Sequence, residues 1–203
     1  MSIQRSDQIK SALKKHYNVV SPVLKTGVAQ ENFVKLDFTD NNQELLNLNV
    51  SDTSEFEKYI ENLLDNYRKV GVGGYGEDRF IYRRSSLFAG EKEPRSIHLG
   101  IDVWVPAGME VYAPLNSKVH SSNFNDNFGD YGGTIILEHK LDKVSFYTLY
   151  GHLSKKSLDG LYEDKQILRG DAFAAIGEPH ENGQWPPHLH FQLITDMLDK
   201  KGD

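Results

Sequence analysis

One short stretch narrows the folds open to this chain more than any other. From His188 to Ile194 the sequence reads HLHFQLI, in which Leu189, Phe191 and Leu193 alternate with His188, His190 and Gln192. A period of two marks a strand with one face in an apolar core, and it projects both imidazoles from the opposite face. Pro186 and Pro187 have fixed φ and no N–H for a ladder, so they form a stiff lead-in to the strand. Two histidines side by side over an apolar sheet point to metal or acid/base chemistry. A polar strand face that carries them by chance is the plainer alternative.

The surrounding half of the chain has the same texture. Short strand patterns recur at Glu110 to Ala113, Lys118 to His120, Thr134 to Glu138, Val144 to Tyr150 and Ala172 to Ile176. Between them lie PAG, NFNDNFGDYGG, LDGLYEDKQ and EPHENGQWPP, all turn or loop chemistry with no helical pattern. Many short strands with such breaks predict an antiparallel β domain over 72–203. It opens with GVGGYGEDRFIYRR, a glycine-rich loop predicted to feed a strand at Phe80 and Tyr82.

Residues 1–71 read as a small α+β unit. Val34, Leu36 and Phe38 alternate, TDNN supplies a turn, and Leu46, Leu48 and Val50 alternate again, a hairpin pattern. Ser54 with Glu57 forms a capping box for a following helix. Its stripe of Phe56, Tyr59, Ile60, Leu63, Leu64, Tyr67 and Val70 is core packing, and Gly71 is placed to end it. Two strands and one helix bury little alone, so this unit is expected to pack on the β domain. Its one histidine, His16, has no partner nearby in sequence and reads as a surface residue.

Composition excludes several chemistries. With 203 residues the chain can bury a proper core. A net charge of -6 without a basic cluster argues against nucleic acid or an anionic membrane as partner. The absence of cysteine leaves His, Asp, Glu or water as the only metal ligands. No secretory h-region and no membrane-spanning apolar run occurs. As written, the chain is expected to stay in the cytoplasm, or to act in the periplasm or outside the cell if a leader has been removed. The ending LDKKGD has the texture of a loop interior and fits excision from something longer.

Two more patches carry candidate ligands. In IHLGIDVW, His98 and Asp102 stand four apart with Gly100 between them, where the missing side chain would leave room for a metal. Four extended residues span roughly 13 Å, slightly too far for two side chains to share one ion, so a bend or bulge is expected near Gly100. In FYTLYGHLS an apolar strand reaches Gly151 and places His152 at its end. His120, His139 and His180 lie in turn or strand-edge contexts without a repeating partner and are not expected to be ligands.

Taken in order, HLGID, YGHLS and HLHFQ resemble the lysostaphin-like (β-lytic) zinc metalloendopeptidases, whose marks are an HxxxD, a YxHL and a terminal HxH. The resemblance runs from about Tyr75 to Ile194 and includes GYGEDRFIY, PAGMEVYAP and KQILRGDAFAAIG. It implies a β-sheet metallopeptidase domain with a substrate groove, acting on peptides or peptidoglycan. It also implies one zinc ion held by His98, Asp102 and His190, with His152 and His188 as the catalytic pair. Three protein ligands leave the fourth zinc position open, as a catalytic site requires.

Departures from the family pattern carry expectations too. EPHENGQW and two prolines replace the usual small-residue approach to HLH, so Trp185 is expected to reshape the groove wall. NFNDNFGDYGG is longer and more acidic than the common version, which argues against a cleft tuned for glycine-rich cross-bridges. GDYGG and WPPHLHFQLITDM also resemble a variant found in larger proteins with class III aminotransferase-like partners, which implies an intracellular zinc hydrolase module as an alternative. A non-enzymatic groove-binding or activator module is the other. Relatives often carry an upstream segment that borders the groove, the role expected of residues 1–71.

Overall fold

The computed structural model describes residues 2–89 and 95–201; the last two residues of the LDKKGD ending lie outside them. In chain order the regular elements are α1 (Ser2–Lys15), β1 (Phe33–Leu36), α2 (Gln43–Leu46), α3 (Thr53–Leu63), β2 (Val70–Gly73), β3 (Ile101–Trp104), β4 (Glu110–Tyr112), β5 (Ser117–Asn125), β6 (Gly132–Leu141), β7 (Val144–Leu153), β8 (Gln166–Ile167), β9 (Ala172–Ala175) and β10 (His188–Ile194). Eight strands form one sheet in the order β1-β2-β3-β10-β7-β6-β5-β8, and β4 pairs with β9 in a second sheet. All pairings are antiparallel except β1 with β2. The fold is mainly β, and among the described residues no α-helix follows α3.

β10 occupies the middle of the large sheet, between β3 and β7. Its Leu189 and Phe191 pack into an apolar core with Val103, Tyr150, Ile135 and Leu137. Alternation turns His188, His190 and the β3 residues Asp102 and Trp104 to the other face. On that side the first part of the chain supplies a second core, in which Leu36, Phe38, Phe56, Ile60 and Leu64 close around Trp104 and Trp185. Each of these fully buried side chains contributes about 2 kcal/mol of transfer free energy. Residues 1–71 thus pack on the β domain as expected, and the sheet itself continues through residue 71 within β2. α1 covers the far end of the sheet, placing Ile9 and Leu13 against Leu115 and Phe146.

Three local expectations are corrected. The hairpin does not form: β1 pairs in parallel with β2, and the residues after TDNN become α2. Asn42 decides this by accepting from the N–H groups of Glu44 and Leu45, which starts a helical turn where a return strand would have had to begin. The cap of α3 is Asp52 and not Ser54, and the helix stops at Leu63. Asp65, Asn66 and Tyr67 then take left-handed φ of 51°, 51° and 61°, so Val70 is released from the helical stripe to open β2. Phe80 and Tyr82 lie in a 3₁₀ turn spanning Phe80–Arg84 instead of a strand, because that turn buries Ile81 and Arg84 together, three residues apart. His16, on the surface as expected, finds a partner distant in sequence: its Nε2 lies 2.9 Å from Asp142 Oδ1.

Two expectations follow. A chain beginning at Val72 lacks β1, α3 and half of β2, leaves Trp104 uncovered, and should be several kcal/mol less stable; an unchanged thermal midpoint would refute this. Burial pushes the His139 imidazole down to about 4. An unfolded histidine titrates near 6.5, so the stability tied to the neutral ring is complete above that pH and is lost as pH falls towards 4, about 3 kcal/mol in all. Replacing His139 by Gln should flatten the acid limb of denaturant-unfolding curves measured across that window.

Candidate metal centre and active site

The site is built on the register of β3 and β10. His190 stands opposite Asp102, and His188 opposite Trp104. His98 arrives from outside the sheet, because the chain bends at Gly100 just before β3 begins. The expected bend is therefore present, but the space beside Gly100 is not open. A Cβ there would lie 2.5 Å from His190 Cε1 and 2.7 Å from its Nε2, so the glycine admits the histidine ring.

Three donor atoms converge at this point. His190 Nδ1 is 3.0 Å from Asp102 Oδ1 and 3.1 Å from His98 Nε2. His98 Nε2 is 3.3 Å from the same carboxylate oxygen. Among the described residues this is the one group of His, Asp and Glu whose ligand atoms all lie within 4.8 Å of one another, and all three residues are buried. Hydrogen bonding leaves the right atoms free. His98 Nδ1 donates to the Gly74 carbonyl at 2.8 Å, which exposes the Nε2 lone pair to the cluster. His190 Nε2 faces Gln192 Oε1 and Tyr131 Oη, each at 3.5 Å, acceptors for its proton when Nδ1 ligates a metal. Two imidazole nitrogens and one carboxylate oxygen are the donor set of a catalytic zinc site, and the group fits one zinc ion.

Beside this cluster lie His152 and His188, with ring centroids 4.1 Å apart. Each is oriented by a backbone carbonyl. His152 Nδ1 donates to Asn182 at 2.8 Å and His188 Nδ1 to Pro186 at 2.8 Å, so both keep an unprotonated Nε2. Burial pushes His188 down to about 4 and holds His152 well below the usual imidazole range. His152 also has a left-handed φ of 62°, a conformation that costs a non-glycine residue about 1 kcal/mol. Its backbone is pinned on both sides, the N–H to the Tyr131 carbonyl and the carbonyl by the Gly177 N–H. Trp104 stacks on His188 at 4.1 Å and 18° and fixes that ring plane.

Asp102 is 1% exposed. Burial alone would raise its carboxyl, but the Arg79 guanidinium beside it holds it well below the usual carboxylate range. A cavity of about 430 Å³ opens over the cluster, and its wall includes Tyr82, Phe88, Arg95, Leu99, Tyr131, Trp185 and Gln192. Trp185 is indeed part of the groove wall. Arg84 packs over its ring at 4.4 Å and donates to the Gln184 carbonyl at 2.9 Å.

Sequence reading brought together the five residues that meet here, His98, Asp102, His152, His188 and His190. It missed Arg79, Trp104, Tyr131 and Asn182, whose roles depend on contacts with distant segments. Arg79 stood in the quoted GYGEDRFIY segment, yet no spacing or periodicity links it to Asp102, 23 residues away. His120, His139 and His180 stay apart from the cluster; His120 pairs with Ser121 and His139 with Thr148.

A mainly antiparallel sheet with a buried His, Asp and His cluster on the floor of a cleft, and two further histidines beside it, is an arrangement suited to a metallopeptidase. The match to peptidase family M23 covers residues 96–200, and the chain belongs to that family. Among solved structures it is similar to a zinc-containing peptidase from Vibrio cholerae, with 27% identity over 51% of this chain and 28% of that one and a TM-score of 0.40. It is also similar to the catalytic domain of the antimicrobial peptidase lysostaphin from Staphylococcus simulans, with 25% identity over 50% of this chain and 71% of that one and a TM-score of 0.41. The matched region spans little more than a quarter of the Vibrio peptidase. No curated protein sequence matches the chain.

The left-handed backbone at His152 makes a testable statement about strain. His152→Gly should be about 1 kcal/mol more stable than His152→Ala in denaturant unfolding, because glycine adopts that φ without a Cβ clash. Equal stability would mean that the position carries no backbone strain.

Proposed function

We propose that this protein is a zinc-dependent endopeptidase that cleaves peptide bonds in peptidoglycan, in cross-links or stem peptides, with His98, Asp102 and His190 as ligands and His152 and His188 as the catalytic pair. The observation that carries this reading is the convergence of three buried donor atoms, from His98, Asp102 and His190, on one point. His152 and His188 lie beside it, and the backbone carbonyls that accept from each Nδ1 leave each Nε2 to act as a base. When bound, zinc supplies Lewis acidity to the scissile carbonyl and lowers the pKa of water towards neutrality. His152 and His188 are neutral in their buried setting, so either Nε2 can take the proton given up by attacking water and pass it to the leaving amine. An imidazole that holds this proton is also placed to donate to the developing oxyanion.

Residues 1–71 act as an accessory unit to the peptidase domain at 72–203. They supply no ligand, but their apolar cluster backs Trp104 and Trp185, which shape the groove. The tyrosine, phenylalanine and tryptophan in the wall suit a peptide with bulky groups better than one of glycine alone.

Purified protein should lower the turbidity of a cell-wall suspension, lose this activity to a chelator and regain it with added zinc. Intact walls together with an uncleaved library of peptidoglycan peptides would refute the reading. Asp102→Ala should bind zinc far more weakly, since two ligands cannot hold the site against solvent. His152→Ala and His188→Ala should retain zinc and lose about 10²–10⁴-fold in turnover. Zinc loss in either histidine variant would make that residue a ligand instead.

A further inference from the structure

Asp102 has two carboxylate oxygens, and the fold treats them differently. Oδ1 faces His98 Nε2 and His190 Nδ1. Oδ2 accepts a hydrogen bond from Arg79 Nη1, in an ion pair whose side chains are both 2% exposed. The guanidinium is itself held from behind. Its Nε donates to Glu77 Oε2 at 3.0 Å, and Glu77 Oε1 accepts from the Phe38 N–H at 3.4 Å. The central carbon of the guanidinium lies over the Phe38 and Tyr82 rings, 5.4 and 5.7 Å from their centroids. β2 makes room for it at Gly73, where a Cβ would come within 2.6 Å of Nη2.

We infer that Arg79 is a positioning residue of the metal centre, which occupies Oδ2 so that Asp102 meets the metal through Oδ1 alone and the fourth zinc position stays open. The inference rests on the proposal that His98, Asp102 and His190 hold zinc. A carboxylate can bind a metal through one oxygen or both, and a second oxygen would fill the position that substrate and water need. A planar guanidinium suits the task because its donors point in fixed directions, one to Asp102 and one to Glu77. Glu77 also balances the charge. The three side chains carry one net negative charge, so a cation sits beside the metal site without making the site positive.

Cobalt(II) substitution reads the coordination number directly, since the visible bands of four-coordinate cobalt weaken when a further ligand is added. In Arg79→Met the cobalt bands should weaken, and kcat should fall about 10–100-fold with KM little changed. Arg79→Lys, which keeps the charge and can still reach Oδ2, should lie between Arg79→Met and the parent on both readouts. If circular dichroism shows that Arg79→Met does not fold, Glu77→Gln, which loosens the anchor and keeps the guanidinium, should shift the bands in the same direction by less. Parental bands in the folded variants, or a loss confined to KM, would overturn the inference and make Arg79 a substrate contact or a structural residue. Asp102→Ala separates the two levels: parental cobalt binding there removes the ligand assignment itself, whereas weak binding there with parental bands in Arg79→Met removes only the role of Arg79.

Discussion

A carboxylate at 1% exposure must be compensated, and Asp102 is the constraint around which this protein is assembled. Desolvation of one ion costs several kcal/mol even after relaxation. Here the compensation comes from Arg79 in the loop after β2, which donates to Oδ2, while Oδ1 faces His98 before the bend at Gly100 and His190 on the neighbouring strand. None of these partners is available unless β2, β3 and β10 lie side by side, as they do. The donor cluster and the central strand order are therefore one requirement seen from two sides. A fold that moved the loop after β2 away from β3 would leave a buried charge unpaired.

The same arrangement couples the first part of the chain to the chemistry. Trp104 is fully buried, touches Phe38 and Phe56 on one side and stacks on His188 on the other. Apolar packing donated by Phe38, just after β1, and by Phe56 of α3 thereby sets the plane of a proposed catalytic ring. Glu77 repeats the connection in polar form, since one of its oxygens braces Arg79 and the other accepts from Phe38. Function at the cleft and cohesion of the hydrophobic cluster share the same residues, so changes far from the metal cluster can reach it through packing alone.

Loops do the finer work. The EPHENGQWPP segment is locked by Asn182, whose side chain donates to the Gly177 and Trp185 carbonyls and accepts from the Trp185 N–H. Its main-chain carbonyl then fixes the His152 tautomer, and the Pro186 carbonyl does the same for His188. A single irregular segment thus orients both histidines of the proposed catalytic pair and presents Trp185 to the groove. Carbonyl groups suit this role because they can only accept, which leaves each Nε2 without its proton.

That five residues meet in the cleft was implied by the family resemblance, whereas spacing along the chain by itself determined the strand-rich class, the central strand with two histidines on one face and the bend at Gly100. Those features are periodic or closely spaced along the chain, and strand geometry converts such spacing into direction without further information. The helical stripe from Phe56 to Leu64 was legible as core for the same reason. Tertiary structure alone decided the rest. β1 took a parallel partner 37 residues away, because Asn42 diverted the next segment into a helix and left β2 as the available ladder. Arg79 reached Asp102, Trp104 reached His188, and Asn182 reached His152 through contacts that no local period encodes. Such partners are chosen by the burial of charge and by ring packing, which act between segments only after the sheet has brought them together.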